Sequence, residues 1–253
     1  MFSRKRLGTS ALILAIFIIP AHTASAVQRP GVFDPFRSTH TQTLAGVCST
    51  DTDYSDQSFA SASFAGLDLQ SCLFNQTVLT GANFTDADLT NAQFHTASAA
   101  GAKFVRAKMA GAELQNADLA GADLTGADLA GANLSATNLS NAKLAAVTSG
   151  LITGTPAGLP TGWKLVDGYL IGPGANLANA DLSGYDLSGT NLTGTDLTGT
   201  TLAGVRSGAI TGTAPVGLST DWKIIGGYLI GPTADLSGAD LTGLDLKDTN
   251  LDG

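Results

Sequence analysis

The 253-residue chain has 31 glycines, only 13% charged residues and a formal net charge of −8. This acidic balance argues against binding to nucleic acid or anionic lipid through phosphate contacts. The low complexity of the sequence points instead to internal repeats.

Residues 1–26 have the three parts of a secretory signal peptide. Arg4, Lys5 and Arg6 form a basic start, residues 11–19 are apolar, and Ala24-Ser25-Ala26 matches a cleavage site. The apolar run is shorter than the ~20 residues that span a bilayer. We therefore expect cleavage before Val27, with an uncleaved anchor as the alternative. The prediction is an exported protein, periplasmic or secreted, from a bacterial host, with no membrane span after cleavage.

Residues 27–51 form a lead-in without clean repeats, and its Phe33 and Phe36 are expected to cover the start of the core that follows. Export permits disulfides, and the two cysteines of the chain are Cys48 and Cys72. A bridge between them would tie the lead-in to the first repeats. The alternative is two unpaired thiols, with Cys72 as a small core residue.

Residues 52–146 repeat every five residues, in nineteen units. Each unit has a large apolar residue, which we call the centre, two positions after a small residue that is usually alanine. A period of five fits neither a helix nor a simple strand, so the chain must turn a corner in every unit. The centre and the alanine are predicted to point inward and the polar residues outward. The last position, often Gly, Asn or Asp, suits a corner that needs positive φ.

Units such as residues 117–121, Ala-Asp-Leu-Ala-Gly, resemble the A(D/N)LXX consensus of the pentapeptide-repeat family. The resemblance implies an all-β fold, a right-handed quadrilateral parallel β-helix with four units per coil. Residues twenty apart would then stack at strand spacing, about 4.8 Å. The aromatic centres would form two opposite walls, followed by leucine: Tyr54, Phe74 and Phe94 on one wall, and Phe64, Phe84 and Phe104 on the other.

Two β-hairpin inserts are predicted to interrupt the repeats. Insert 1 covers residues 147–174 and insert 2 covers residues 205–233, which leaves further arrays at 175–204 and 234–253. The inserts are copies of each other, since residues 163–173 match residues 222–232. Asp167-Gly168 and Gly226-Gly227 are type I′ turn signals between β-forming residues.

The inserts have a structural and a functional interpretation. As structure, each is a modified coil or an appended hairpin. As binding loops, they would offer a partner four aromatic residues: Trp163, Tyr169, Trp222 and Tyr228. Duplication and apolar content favour structure. Tyr185 stands where the repeat has alanine and is expected to pack against insert 1.

Catalytic chemistry is not indicated. His40 and His95 form neither a triad nor a metal site. The aspartates recur with the repeat, which marks them as its solvated position. We therefore predict no catalytic, cofactor or metal residues, and a non-catalytic scaffold for a protein or cell-envelope partner. The last coil, with Leu244, Leu246 and Leu251, is predicted to form a homodimer, which the family resemblance also implies. The alternative at that coil is that the neighbouring insert folds over the end.

Two further functions compete with the scaffold. Some members of the family mimic DNA and protect gyrase from quinolones, but the signal peptide and the lysines within the acidic columns (Lys103, Lys108 and Lys143) oppose this alternative. Ice or polysaccharide binding through Thr193 and Thr198 would need a longer row than the second array provides.

Overall fold

The computed structural model describes residues 53–252, and this part of the chain winds into a right-handed, four-sided β-helix. Each side pairs in parallel with the side twenty residues later, as in Asp53 with Leu73 and Leu73 with Gln93. No helix occurs among the described residues, and so none that could cross a membrane. The predicted fold class is confirmed. The signal peptide and lead-in predictions, with Cys48, Phe33, Phe36 and His40, fall outside the described residues.

Four ladders of outward residues define the four faces of the first array. In chain order they are face 1 (Asp53, Leu73, Gln93, Glu113, Asn133), face 2 (Ser58, Val78, Ser98, Asp118, Asn138), face 3 (Ser63, Asn83, Lys103, Asp123, Lys143) and face 4 (Asp68, Asp88, Lys108, Asp128, Thr148).

Backbone hydrogen bonds join successive coils in the same way on each face. On face 1, the Phe74 amide donates to the Gln93 carbonyl at 2.7 Å and the Gln93 amide donates to the Cys72 carbonyl at 2.9 Å. A third bond crosses the corner, from the Gln76 amide to the His95 carbonyl, at 2.8 Å. Each coil therefore holds its neighbour along its whole perimeter, as expected for a solenoid.

The corners adopt the predicted left-handed conformation. Every fifth residue from Asp56 to Ala146 has a positive φ, between 54° at Arg106 and 69° at Gly126. Many of these residues are Gly, Asn or Asp, which tolerate this region best.

The core of the first array contains the two predicted aromatic walls. Phe64, Phe84 and Phe104 stack with ring planes within 2° of parallel and centroids 4.6 and 5.0 Å apart. Across the core, Phe84 and Phe94 meet edge to face at 6.1 Å. Both geometries are favourable for aromatic pairs, and leucine centres fill the core from Leu114 onward.

Threonine can replace the inward alanine because its hydroxyl has a backbone partner. The buried Thr137 hydroxyl donates to the Leu114 carbonyl at 2.8 Å, and the buried Thr195 hydroxyl donates to the Gly172 carbonyl at 3.0 Å. The hydroxyl is thus buried without being left unsatisfied.

Each insert contains the predicted two-stranded antiparallel hairpin. In insert 1, β1 (Lys164–Val166) pairs with β2 (Tyr169–Ile171), and in insert 2, β3 (Lys223–Ile225) pairs with β4 (Tyr228–Ile230). The turn residues Asp167 and Gly168 have φ of 43° and 86°, and Gly226 and Gly227 have φ of 59° and 83°. Two positive φ values in a two-residue loop are those of a type I′ turn.

Each insert is one coil of the rod enlarged by its hairpin. In insert 1, Thr153 and Gly158 still pair with residues twenty positions earlier, Asn133 and Asn138. The hairpin comes next, and the ladder resumes at Asn176, which pairs with Thr148. The modified coil and the hairpin, weighed as alternatives, are therefore both present.

The ladder continues across each insert on a single face. Below insert 1 the continuing pair is Thr148 with Asn176 on face 4, and below insert 2 it is Arg206 with Asp235 on face 2. At the first junction the bonds are those from the Ala146 amide to Gly174 (2.6 Å) and from the Asn176 amide to Val147 (3.0 Å). Among the described residues, no β-bridge joins the two coils directly on the three other faces.

Candidate functional site

The aspartates of the repeat have a structural task beyond solvation. In the face positions the side-chain Oδ1 accepts the amide two residues later, as in Ala120 to Asp118 at 3.1 Å and Ser237 to Asp235 at 2.9 Å. Asparagine does the same, as in Ser135 to Asn133 at 3.1 Å. This explains why the consensus accepts Asp or Asn: the Oδ1 acceptor, rather than the charge, closes the local turn.

Ion pairs between coils neutralise part of the acidic columns. Arg106 pairs with Asp86 at 2.7 Å through two parallel bonds, and the hydrogen bond from Arg106 lowers the pKa of the Asp86 carboxyl. Lys108 pairs with Asp88 at 3.2 Å, and Lys143 pairs with Asp123 at 3.1 Å. These pairs are exposed, so each adds little stability. Lys143 and Lys108 place cations on faces 3 and 4, and the Arg106–Asp86 pair lies at the corner between those faces.

The two inserts are the strongest candidates for a site because they depart from the repeat twice in the same way. A serine occupies the centre position where the repeat has leucine, and it is buried in both copies. The Ser149 hydroxyl accepts the Leu170 amide at 2.9 Å, and the Ser207 hydroxyl accepts the Leu229 amide at 2.8 Å. The serines thereby hold the second strand of each hairpin inside the rod.

Two other bonds fix each hairpin. The Gly168 carbonyl accepts the Ile152 amide at 3.1 Å, and Gly227 accepts Ile210 at 3.0 Å. Below the hairpin, the Lys164 ammonium donates to the Ser188 carbonyl at 2.7 Å. In insert 2, Lys223 donates in the same way to Asp248 at 2.5 Å. The hairpins are therefore held on both sides.

The tryptophans lie against the rod. Trp163 and Trp222 are half-buried and pack on the hydrophobic core. A Cβ at Gly172 would overlap the Trp163 ring, and a Cβ at Gly231 would overlap Trp222. Each indole thus needs a glycine beneath it. Neither tryptophan is the exposed side chain that the binding-loop interpretation assumes.

The tyrosines of the hairpins pack in the same way. Tyr169 lies over Gly150, where an added Cβ would be 3.1 Å from its ring, and its ring centroid is 6.1 Å from that of Tyr185. The contact between Tyr185 and insert 1 is thus confirmed. Tyr228 lies over Gly208, and its hydroxyl accepts the Asp240 amide at 3.2 Å. A role of these four aromatic residues in binding stays a prediction.

Two features of the inserts were not predicted from the sequence. One is the hydrogen bond that Ser149 and Ser207 accept from the second strand, and the other is the packing of each indole on a glycine, Gly172 or Gly231. The available signal was a serine at a centre position in both copies, followed by a Trp and, nine residues after the Trp, by Gly-Pro. A polar residue in a core position indicates a hydrogen-bond partner.

The remaining predicted positions lie apart from the inserts. Cys72 is fully buried in the first array and is disulfide-bonded. The pairing with Cys48 stays a prediction, because Cys48 lies outside the described residues. His95 is half-buried at a corner, where its amide donates to the Asn75 side chain at 2.9 Å. Between residues 53 and 252 no group of His, Cys, Asp or Glu could hold a metal ion.

The last described coil is less covered than the others. Its centres Leu236, Leu241 and Leu246 are half-buried and Leu251 is 52% exposed, whereas the centres of the second array are buried. On the other side of this coil, Leu244 packs against the hairpin turn, where a Cβ at Gly226 would lie 2.6 Å from its Cδ2. The apolar surface of this coil is therefore open on one side.

Several solved structures resemble the chain. A pentapeptide repeat protein from the Arabidopsis thaliana thylakoid lumen is 28% identical over 38% of this chain and 68% of its own, with a TM-score of 0.38. Rfr23, from the cyanobacterium Cyanothece 51142, is 26% identical over 37% of this chain and 64% of its own (TM-score 0.36). QnrB1, a plasmid-mediated fluoroquinolone resistance protein, is 14% identical over 80% and 90% (TM-score 0.37). All three TM-scores are below 0.5, so none of these similarities bears on function.

The family of the protein is established by its repeats. No curated protein sequence matches the chain. The family profile described as pentapeptide repeats matches eight copies, at residues 62–98, 102–141, 174–206 and 233–253. These ranges cover just over half of the chain and include parts of all three arrays. The protein therefore belongs to the pentapeptide-repeat family and is a pentapeptide-repeat scaffold.

Proposed function

We propose that the protein is an exported, non-catalytic scaffold that binds a protein or another component of the cell envelope along the faces of its β-helix. The observation that carries this proposal is the unbroken first array, whose faces present one outward residue per coil in register from Asp53 to Thr148. Such regular outer faces fit a macromolecular surface better than a small molecule, which binds in a concave site.

Export rests on residues 1–26, and fractionation tests it. A C-terminally tagged full-length protein, expressed in a bacterium, is expected in the periplasm or medium with Val27 as its first residue. The N-terminus of the recovered protein is read by mass spectrometry. The control variant carries Ala24→Leu and Ala26→Leu, which remove the small residues of the cleavage site and should leave the precursor unprocessed. Unprocessed wild-type protein in the cytoplasm would refute export.

Binding is tested by crosslinking the tagged protein in the intact envelope and identifying what is captured. The matched control is a face variant, Ser98→Lys with Asp118→Lys, which alters face 2 but leaves the core unchanged. Reproducible capture of the same component by the wild type and its loss in the variant would support the proposal. Equal capture by both proteins would assign binding elsewhere.

The homodimer belongs to the same proposal. Leu251 and its half-buried neighbour Leu246 form an apolar surface on one side of the last described coil, and a second copy could cover it. Light scattering coupled to gel filtration should give a dimer that Leu251→Lys converts to a monomer. The control Leu151→Lys changes a leucine that is 82% exposed and lies away from this coil. A wild-type monomer at high concentration would exclude the dimer.

The DNA-mimic alternative is less well supported. Two exposed ion pairs on faces 3 and 4, and a third at the corner between them, place cations beside the aspartates, whereas a mimic needs a sustained negative stripe. Cytoplasmic retention in the fractionation experiment would favour this alternative, and a gyrase supercoiling assay would then test it.

A further inference from the structure

The buried side chains of the described residues form two hydrophobic clusters, with the half-buried Trp163 packed against both, and the boundary between the clusters falls inside one strand. The first cluster runs from Phe59 to Ile152 and ends with Leu170. The second begins with Ile171, continues through the second array and ends with Ile210 and Leu229. The consecutive residues Leu170 and Ile171 are both fully buried, yet they belong to different cores.

Strand geometry explains the division. Successive side chains of a β-strand point to opposite faces, so β2 sends Leu170 toward the first array and Ile171 toward the second. The Ser149 hydroxyl holds the Leu170 amide on the side of the first array. On the other side, Lys164 reaches the Ser188 carbonyl of the second array. Hairpin β1–β2 therefore lies across the rod as a partition.

Insert 2 repeats the arrangement. Leu229 of β4 closes the second cluster, and its neighbour Ile230 is fully buried but belongs to neither cluster. By the same alternation, Ile230 faces the last array. The Ser207 anchor and the Lys223 contact to Asp248 reproduce the bonds of insert 1.

Fewer backbone hydrogen bonds also cross the junctions at the inserts than join ordinary coils. An ordinary pair of coils shares three backbone bonds on each face, whereas the ladder crosses the first junction on face 4 alone. In a solenoid, stability passes from one repeat to the next through such interfaces. A partition with one continuous face weakens that coupling.

We infer that each insert is an internal cap: its hairpin completes the core of the array before it and starts the core of the array after it, so that the arrays unfold independently. Neighbouring leucine and isoleucine residues in one strand then stabilise different parts of the chain. This assigns the duplicated inserts a conformational role that is separate from any partner of the scaffold.

Hydrogen exchange of the full-length mature protein tests the inference. Leu170→Ala should lower the protection of residues 112–144 by roughly thirtyfold or more, the usual scale for a buried leucine truncation, and leave residues 177–202 unchanged. Ile171→Ala should do the reverse. In insert 2, Leu229→Ala should lower the protection of residues 177–202, and Ile230→Ala should leave it unchanged.

The two alanine variants control for each other, because they differ by one position in the same strand. Loss of protection in both arrays in each variant would show one continuous core and would overturn the inference, as would a reversed pattern. If an alanine variant does not fold, Leu170→Val and Ile171→Val make smaller changes at the same positions and must show the same opposed pattern. Neither Leu170 nor Ile171 lies on a face of the rod. The binding experiment on the scaffold is therefore independent of this test.

Discussion

Phe84 stacks on Phe64 with ring centroids 4.6 Å apart and ring planes 2° from parallel, one coil above the other. Phe84 also contacts Phe74 and Phe94 across the core, edge to face. It is fully buried in the middle of the aromatic part of the rod. If the Phe84 ring is removed, no single neighbouring ring can fill the space, because each is fixed by the backbone of its own coil.

Phe84→Ala is therefore expected to reduce the free energy of unfolding of the first array by about 3–5 kcal/mol, through lost burial and the cavity that remains. Chemical denaturation followed by circular dichroism measures the change. Ser98→Ala, at an outward position nearby, is the control and should stay within about 0.5 kcal/mol of wild type. A loss below about 1 kcal/mol for Phe84→Ala would mean that the coils can collapse around the cavity.

Gly172→Ala should displace Trp163, because the added Cβ would overlap the indole. We expect a red-shifted tryptophan emission and a lower midpoint of unfolding, measured in a Trp222→Phe background so that a single tryptophan reports. Gly184→Ala is the control: its Cβ would meet nothing within 4 Å, but its φ of +74° remains strained for alanine, at a cost of about 1 kcal/mol. Unchanged emission in Gly172→Ala would show that the indole does not rest on this glycine.

Acid is expected to destabilise the junction at insert 2, where Arg206 pairs with Asp235, but not the junction at insert 1. Hydrogen bonds from Ser237 and Arg206 lower the pKa of Asp235 to about 2, from an ordinary value of 3.8. A lowered carboxyl pKa stabilises the folded state fully above the unfolded value, and this contribution is lost as the pH falls from about 4 toward 2. At the first junction the equivalent residue is Asn176, which donates to Thr148 and does not titrate.

The Ser237 amide, which donates to Asp235 at 2.9 Å, reports this titration in an NMR experiment. Its chemical shift should titrate with a midpoint near 2, and Asp235→Asn should abolish the titration while keeping the amide acceptor. A midpoint close to 3.8 would contradict the predicted effect of Ser237 and Arg206.

Insert 1 should be removable without disturbing the rest of the rod. Deletion of residues 147–174 joins Ala146 to Ala175 and puts Asn176 where Thr148 stood, on face 4 above its own next coil. The five-residue register and the assignment of faces are both kept. Circular dichroism should stay that of a β-helix, and the first two arrays should now unfold together.

Deletion of residues 147–173 is the matched control. It leaves one extra residue, Gly174, which shifts every centre of the second array by one position and turns leucines toward solvent. This variant should lose cooperative unfolding of the second array. If both deletions behave alike, the inserts are not single coils.

Much of the fold could be predicted because the period of five specifies inside, outside and corner in every unit. The stacked columns of Tyr54 and Phe64, the positive φ at the corners and the type I′ turns all follow from local residue choice. The path of the hairpins could not be predicted in this way. Ser149 and Leu170 are twenty-one residues apart, and their hydrogen bond depends on a strand crossing the rod, which no local pattern encodes.

The duplication of the inserts indicated where the candidate site lies, but it did not predict how the aromatic residues pack there. Aromatic residues in a loop suggested exposure, whereas Gly172 and Gly231 provide space for the indoles against the rod. Each indole packs on a glycine nine residues later in the chain. In the sequence this contact is visible only as a Gly-Pro that recurs after each Trp.

Six repeats separate the two inserts, which is one and a half turns of a four-sided coil. The half turn places the continuous ladder on face 4 at the first junction and on face 2, the opposite side, at the second. If the rod bends at each junction about its continuous face, the two bends would therefore be in opposite directions, and the rod would be offset sideways rather than curved. With four or eight repeats between the inserts, both continuous ladders would lie on the same face, and bends at the two junctions would add up to a curve.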